Sequence, residues 1–517
     1  MSLLLAGTLF LSCKDKEASF NKEIELTKPN IIYILADDLG YAEVGVYGQK
    51  QIETPNIDAL AKSGMLFTQH YTSAPVCAPA RHMLLTGKHA GHAYIRSNSE
   101  WKERGEVWDH RAMAKDSTLE GQGPMPETTI TLAHRLREVG YTTGMVGKWG
   151  LGAPHTHSIP NNMGFDFFYG FNCQRQAHTY YPLHLYKNKI REHLANDTIV
   201  PGTKLAEGTD PNDAKSYSNF TQTDYAPELM FREITNFVTT NKQRPFFLYW
   251  ATPIPHVALQ APERWVEYYI EKLGEEEPYL GERGYFPHKN PRAAYAAMVS
   301  YLDENIGKLV KQLKDEGLYD NTLIVFTSDN GPSFNGGTDS EFFESAKPFD
   351  GKYGKGKGFL YEGGIRVPMI ASWPGHVRPN TKSNHISAHY DMLATFADVA
   401  GYTKPEDTDG ISLLPTLLSE ENQEEHEFLY WEFPSYGGQV AFRMGDWKLV
   451  RQNLLNDLEP SLELYNLKDD PTETKNVAEL HPKIIAKAAK IFDRERETPE
   501  LENFKMLEIE NGLLTKK

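Results

Sequence analysis

Cysteine is scarce in this chain of 517 residues, which holds three, at positions 13, 77 and 173. Three thiols cannot build a disulfide framework, and a chain of this length with 40% hydrophobic residues has enough apolar material for a packed core without one. Positive charge is also in deficit, with 54 Lys and Arg against 70 Asp and Glu, a formal net charge of −16. That balance excludes non-specific binding to nucleic acid or to an anionic membrane surface. It also repels anionic substrates at long range, so an anion-binding protein of this charge needs a locally cationic pocket. Internal repeats and low-complexity tracts are absent, and the apolar run Leu3 to Leu11 is too short to span a bilayer.

That short run reads instead as a signal h-region, although no Lys or Arg precedes Leu3 to form the usual basic segment. Its end, Phe10-Leu11-Ser12-Cys13, resembles a bacterial lipoprotein cleavage box. The expectation is an exported protein, in the periplasm or on the outer membrane or cell surface of a Gram-negative bacterium. Residues 1–12 would be the signal, Cys13 the lipidated residue and 13–27 a charged tether, with the membrane touched only through the lipid. With Cys13 and Cys77 both modified, Cys173 has no partner left for an internal disulfide.

Along the rest of the chain, short β-branched apolar runs alternate with helical patterns, the mark of an α/β domain with a largely parallel sheet. Strands are expected at 30–35, 141–146, 246–250 and 322–326, and each runs into a polar cluster. These are Asp37-Asp38, Lys148, His256 and Asp329-Asn330. Open α/β sheets bind ligands at the C-terminal ends of their strands. Helices are expected over 130–139, 294–313 and 391–400, with a further strand at 369–371. Beyond the acidic stretch 420–425 the texture changes to short alternating strands and a helix from about Pro482. The expected division is a catalytic domain over 28–424 and an antiparallel-sheet α+β subdomain over 425–517.

The most specific feature is Cys77-Ala78-Pro79-Ala80-Arg81, followed by Leu85-Thr86-Gly87. A Cys-x-Pro-x-Arg run arises by chance in such a chain with a probability of roughly 1%. It matches the cue that sulfatase-maturing enzymes read to oxidise cysteine to formylglycine. Asp37, Asp38, Asp329 and Asn330 form an all-oxygen set that suits a hard cation such as Ca²⁺ or Mg²⁺. The run Gly351 to Gly358 nearly satisfies a P-loop, but Gly358 stands where a Ser or Thr is required, and no strand leads into it.

Together with Val146-Gly147-Lys148-Trp149, Pro255-His256 and Lys357 to Pro368, these pieces make the chain resemble, from about Pro29 to Pro499, a type I formylglycine-dependent sulfatase of the alkaline phosphatase superfamily. The resemblance implies an alkaline-phosphatase-like, mixed and largely parallel sheet between helices. It implies one Ca²⁺ held by Asp37, Asp38, Asp329, Asn330 and the residue formed from Cys77. Lys148 and Lys357 would hold the sulfate, Arg81 would support the formylglycine hydrate, and His256 would protonate the departing alcohol. The partners implied are a sulfated oligosaccharide or polysaccharide and a maturing enzyme.

One position departs from the family pattern: Gly150 stands where a histidine is usual in Gly-Lys-Trp-His-Leu-Gly. His155, His157 or Lys148 are the substitutes the sequence offers. Arg96, Trp101, Arg175, His178 and Tyr180 lie in polar-aromatic stretches suited to sugar binding, and Arg175 and His178 are taken as substrate-binding. By analogy the substrate is a sulfated galactose or N-acetylgalactosamine unit. The alternatives are a formylglycine-dependent phosphonate monoester or phosphodiester hydrolase, and a surface glycan-binding protein impaired in catalysis.

Overall fold

The strand Asn30–Ala36 is buried along its whole length, which is why its sequence is an unbroken apolar run rather than an alternation. In the computed structural model, which describes residues 28–404 and 407–506, it lies near the middle of a ten-stranded sheet. On one side it pairs in parallel with Thr322–Ser328, and on the other with Phe246–Ala251. Phe246–Ala251 pairs in parallel with Thr142–Lys148, and that strand with Phe167–Phe171. The sheet is completed on one edge by the hairpin His184–Lys187 and Ile190–His193. On the other edge lie Met369–Ser372, Met65–Phe67 and Thr381–Ser383, the first of these antiparallel to both its neighbours. The expected α/β class and mixed, largely parallel sheet are therefore present.

Side-chain alternation divides the core. Ile32, Ile34, Leu248, Trp250, Ile324 and Phe326 face one layer of helices, where they meet Ile234 and Phe237 of Ala226–Asn241 and Met298, Leu302 and Ile306 of Pro291–Asp315. Ile31, Tyr33, Leu35, Phe247, Tyr249, Leu323 and Val325 face the other, with Leu84 and Leu85 of Cys77–Thr86, Leu132 and Leu136 of Leu132–Glu138, and Phe396 of Asp391–Val399. Each large aliphatic side chain removed from water contributes about 1.5–3 kcal/mol. The long helix opens with Pro291 in its first turn, where a missing N–H leaves no intrahelical bond unmade.

A second sheet of four antiparallel strands, in the order Leu429–Phe433, Gln439–Met444, Trp447–Arg451 and Glu463–Asn466, comes later in the chain. One face packs on the helix Pro482–Glu495 and on Ala80 and Met83; the other packs on Tyr71, Leu360 and Ile365. The buried Lys448 ammonium lies 2.9 Å from Glu362 and 2.8 Å from Glu473, pinning this sheet to the segment that carries Lys357. Among the described residues no helix is long and apolar enough to cross a membrane. The signal-like segment, Cys13 and the tether lie outside the described residues.

Candidate active site

Four adjacent strands end on the same side of the sheet because they run parallel, and the polar residues at or just past their ends meet there. Asp37 and Asp38 come after Asn30–Ala36, Lys148 closes Thr142–Lys148, His256 comes after Phe246–Ala251, and Asp329 and Asn330 after Thr322–Ser328. The turn backbones are tied across: Asp329 N–H donates to Ala36 O at 2.9 Å and Asp37 N–H to Ile254 O at 3.0 Å. Into this ring the helix Cys77–Thr86 points its N-terminus. All ten of its residues are buried, and it stops at Gly87, whose φ of 68° allows the N–H to reach Met83 O at 2.9 Å.

At the centre, Cys77 Sγ lies 3.1 Å from Asp37 Oδ1. Arg81 donates to Asp37 at 3.0 Å, to Asp329 at 3.1 Å and to the Lys148 carbonyl at 3.0 Å. Lys148 Nζ is 2.5 Å from Asp37, and Lys357 Nζ is 2.6 Å from Asp38 and 3.9 Å from Cys77 Sγ. His256 Nε2 lies 3.8 Å from Asp38. Its Nδ1 donates at 2.5 Å to Val257 O, so the ring presents its other nitrogen to the cluster. Every catalytic and metal-ligand residue expected from the sequence is thus brought into one buried cluster.

Burial alone would raise the Asp37 carboxyl, but Lys148 and Arg81 overturn that and hold it well below the usual range. Asp329 is pushed up to about 7 by burial and then by the Asp37 charge. Burial, with the Asp329 and Asp37 charges next in weight, drives the Cys77 thiol far above its ordinary value. A thiol so held is not a thiolate and makes a poor nucleophile. His256 is driven well down by burial and by Lys357 and Lys148, so the imidazole is neutral.

The donor set fits a metal ion. Asn330 donates its amide N–H to Asp38 at 2.8 Å, while its buried Oδ1 has no partner. A buried acceptor left unpaired is costly, and a cation beside it removes that cost. Asp37, Asp38, Cys77 and His256 offer ligand atoms within 4.8 Å of one another. Cys77, expected among the ligands through the residue formed from it, lies in this group, and His256, expected only as an acid, lies there too. Carboxylate and amide oxygens match a hard divalent ion.

The sulfatase family model matches residues 29–402. The chain belongs to the sulfatase family. A second model, described as the C-terminal region of N-sulphoglucosamine sulphohydrolase, matches residues 351–497. The chain is 32% identical over 416 residues to the N-acetylgalactosamine-6-sulfatase of Homo sapiens, covering 78% of this chain and 68% of that one. It is 27% identical to the N-acetylgalactosamine-6-O-sulfatase of Bacteroides thetaiotaomicron, covering 95% and 98%. The crystal structure of Ps i-CgsB in complex with k-i-k-neocarrahexaose superposes with a TM-score of 0.72 at 29% identity, over 94% of this chain and 97% of that one. A phosphonate monoester hydrolase of Agrobacterium radiobacter shares the fold at 19% identity and a TM-score of 0.58. The protein is accordingly a sulfuric ester hydrolase of the alkaline phosphatase superfamily.

In this sulfatase the position of the missing histidine is occupied from elsewhere. Gly150 has φ 70°, and a Cβ built on it would fall 3.0 Å from Cβ and Oε1 of Gln174. The Gly150 N–H donates to Asn172 O at 3.1 Å, which lays the 172–178 segment across the site. That segment carries Arg175 and His178 into the catalytic cavity, of about 310 Å³, whose walls also hold Cys77, Lys148, His256 and Lys357. His178 stacks on His256 with ring centroids 5.4 Å apart. The Arg175 guanidinium covers the Trp108 ring at 4.0 Å.

Neither substitute histidine named from the sequence reaches the cavity. His155 is exposed and bonds Ser117 Oγ at 2.7 Å, while His157 bonds the Met125 carbonyl. Arg96 and Tyr180 are likewise structural. Arg96 is buried against Glu432, Gly91 O and Glu497 O. The Tyr180 hydroxyl lies 2.6 Å from the carbonyls of Pro253 and His256, bracing the histidine loop. Sequence reasoning missed Glu100, Gln174, Tyr285 and Tyr436, all of which line the cavity. Tyr436 sits in the tight turn Ser435-Tyr436-Gly437-Gly438 between two strands of the small sheet, a surface aromatic at a hairpin tip that could have drawn notice.

Proposed function

We propose that this sulfatase is exported and hydrolyses sulfate esters of a sulfated glycan, of galactose or N-acetylgalactosamine type, using formylglycine derived from Cys77 and one Ca²⁺. The observation that carries this reading is the placement of Cys77, in its Cys-x-Pro-x-Arg context, at the centre of three carboxylates and three cations. The names of the N-acetylgalactosamine-6-sulfatase relatives and the complex with neocarrahexaose support the glycan class. Asp37, Asp38, Asp329 and Asn330 would hold the ion; the ion supplies fixed positive charge, and the formylglycine hydrate supplies the attacking hydroxyl.

Lys148 and Lys357 hold the sulfate by its oxygens. Lys148 is buried and Lys357 partly so, and each is already oriented by a carboxylate, so little reorganisation accompanies the transition state. Arg81, bonded to two carboxylates, keeps the residue at 77 and Asp37 in register. An arriving monoanion favours the imidazolium form of His256, which then protonates the leaving oxygen from Nε2. His178 supplies the second imidazole that the Gly150 position lacks, and Arg175 orients the sugar. The Cys77 segment is buried in the folded protein, so conversion by a maturing enzyme precedes folding. The division into 28–424 and 425–517 and the lipidation of Cys13 belong to the same proposal.

The test is a mass spectrum of the Cys77 peptide from protein made with and without a maturing enzyme, read beside sulfate release from a panel of sulfated saccharides. Aldehyde at position 77 with release only from converted protein is the expected result. Equal release from unconverted protein overturns the nucleophile. Turnover of phosphonate monoesters or phosphate diesters in preference to sulfate esters overturns the substrate class.

A further inference from the structure

Beside the catalytic cavity lies a larger one, of about 630 Å³, within the size range of ligand sites. It is formed by residues 94–103, 122–124 and 500–504, and the two cavities share Ser97 and Glu100 in a common wall. In that wall Glu100 Oε1 accepts from Gln122 Nε2 at 2.8 Å, but Glu100 Oε2 and Gln122 Oε1 have no partner. Glu100 is 7% and Gln122 4% exposed, so neither oxygen is compensated by bulk water. Two nearly buried acceptors held side by side are costly unless donors reach them. Sugar hydroxyls are such donors.

Two further features narrow the ligand. Trp101 lines the larger cavity, with the Arg104 guanidinium 5.0 Å from its ring centroid; an aromatic wall beside paired acceptors suits a pyranose, which has apolar C–H faces and a polar rim. Beyond the shared Glu100, the lining carries Glu103, Glu500 and Glu502 against the one lining cation Lys102. The catalytic cavity next to it carries Lys148, Lys357 and Arg175. A sulfate or carboxylate is favoured on one side of the wall and repelled on the other.

We propose that the larger cavity is a subsite for an uncharged sugar unit of the same oligosaccharide whose sulfated unit occupies the catalytic cavity. The subsite rests on the glycan reading of the catalytic cavity and adds that the substrate is an oligosaccharide with an unsulfated, non-uronic neighbour. The protein therefore discriminates by what flanks the sulfate as well as by the sulfate itself.

The experiment compares sulfate release by converted enzyme from a 6-sulfated galactose or N-acetylgalactosamine monosaccharide and from a tetrasaccharide in which that unit is flanked by unsulfated sugars. The tetrasaccharide should be favoured in kcat/KM by about tenfold or more, and Trp101→Ala should erase that advantage while leaving the monosaccharide rate unchanged. Equal rates on the two substrates, or an advantage that survives Trp101→Ala, would overturn the subsite. A tetrasaccharide with a uronic acid as neighbour should show no advantage; if it does, the uncharged assignment fails. If neither substrate releases sulfate, the glycan reading fails, and a fluorescence titration of the full chain with the unsulfated tetrasaccharide decides the subsite separately. Binding that Trp101→Ala abolishes supports it, and absence of binding overturns it.

Discussion

The two neighbouring cavities are built from opposite electrostatic material. In the cluster around Cys77, at the base of the catalytic cavity, each of three carboxylates is answered: Asp37 by Arg81 and Lys148, Asp38 by Lys357 and Asn330, Asp329 by Arg81. In the larger cavity Glu100 is held only by Gln122 on one oxygen. The consequence is visible in their protonation. Asp37, though buried, is held well below the usual carboxylate range by Lys148 and Arg81, whereas Glu100 is pushed up to about 7 by burial, with Arg175 only partly opposing. Burial is common to both, so the difference lies in the paired cations, and a chain of net charge −16 reserves those cations for the place where an anion must bind.

The sharpest way to break the comparison is at its centre. Cys77→Ala should bring sulfate release to background while circular dichroism and melting temperature stay near wild type, because a buried Ala replaces a small buried thiol; near wild-type turnover would sink the mechanism. Removing one cation comes next. Lys148→Ala or Lys357→Ala should lower kcat about 10²–10³-fold, in line with the loss of one preorganised donor at a developing charge. A change confined to KM would show instead that the lysines serve ground-state binding alone. Chelation of the metal should act like these substitutions, and recovery of both turnover and melting temperature on adding Ca²⁺ would identify the ion, where recovery with Mg²⁺ alone would reassign it.

His178→Ala tests whether the second imidazole belongs to the chemistry or to sugar binding. A fall in kcat of about 10²-fold with KM little changed places it in proton transfer; a rise in KM alone places it with Arg175. The smallest effect is expected at Glu100. Its folded pKa of about 7 lies above the ordinary value of 4.5, so the folded state favours the neutral acid. The stability associated with Glu100 is full below about pH 4.5 and declines as the pH rises to about 7, by at most about 3 kcal/mol. Glu100→Gln should flatten the fall in melting temperature over that window, and an unchanged slope would show that the carboxyl is not held as described.

Much of the fold was readable in residues alone. The strands 30–36, 142–148, 246–251 and 322–328 are buried nearly throughout, and such strands read as near-continuous runs of apolar and β-branched residues, most weakly in Thr142-Thr143-Gly144-Met145-Val146. The polar residues that end those runs were legible for the same reason, since each breaks an apolar pattern abruptly. The helix Pro291–Asp315 was read slightly short, from 294, because Pro291 and Arg292 carry no apolar periodicity although the helix already includes them. The hairpin 184–193 was not foreseen: His184–Lys187 is buried at three of its four positions but carries His, Leu and Tyr there, not an aliphatic run, and Ile190–His193 is at most half-buried, so neither announces a core strand.

What the residues marked out by themselves were the candidate chemical groups: a cysteine in a Cys-x-Pro-x-Arg context, an Asp-Asp pair after one strand, an Asp-Asn pair after another, and a lysine and a histidine after two more, because these rest on local identity and spacing. Tertiary structure decided which side chains share a cavity, because that depends on how distant segments cross. Only the crossing of 172–178 over Gly150 shows that His178, and not His155 or His157, stands at the site. Only the meeting of 94–103 with 500–504, some four hundred residues apart in the chain, makes the acidic cavity, and no local pattern in either segment encodes the other.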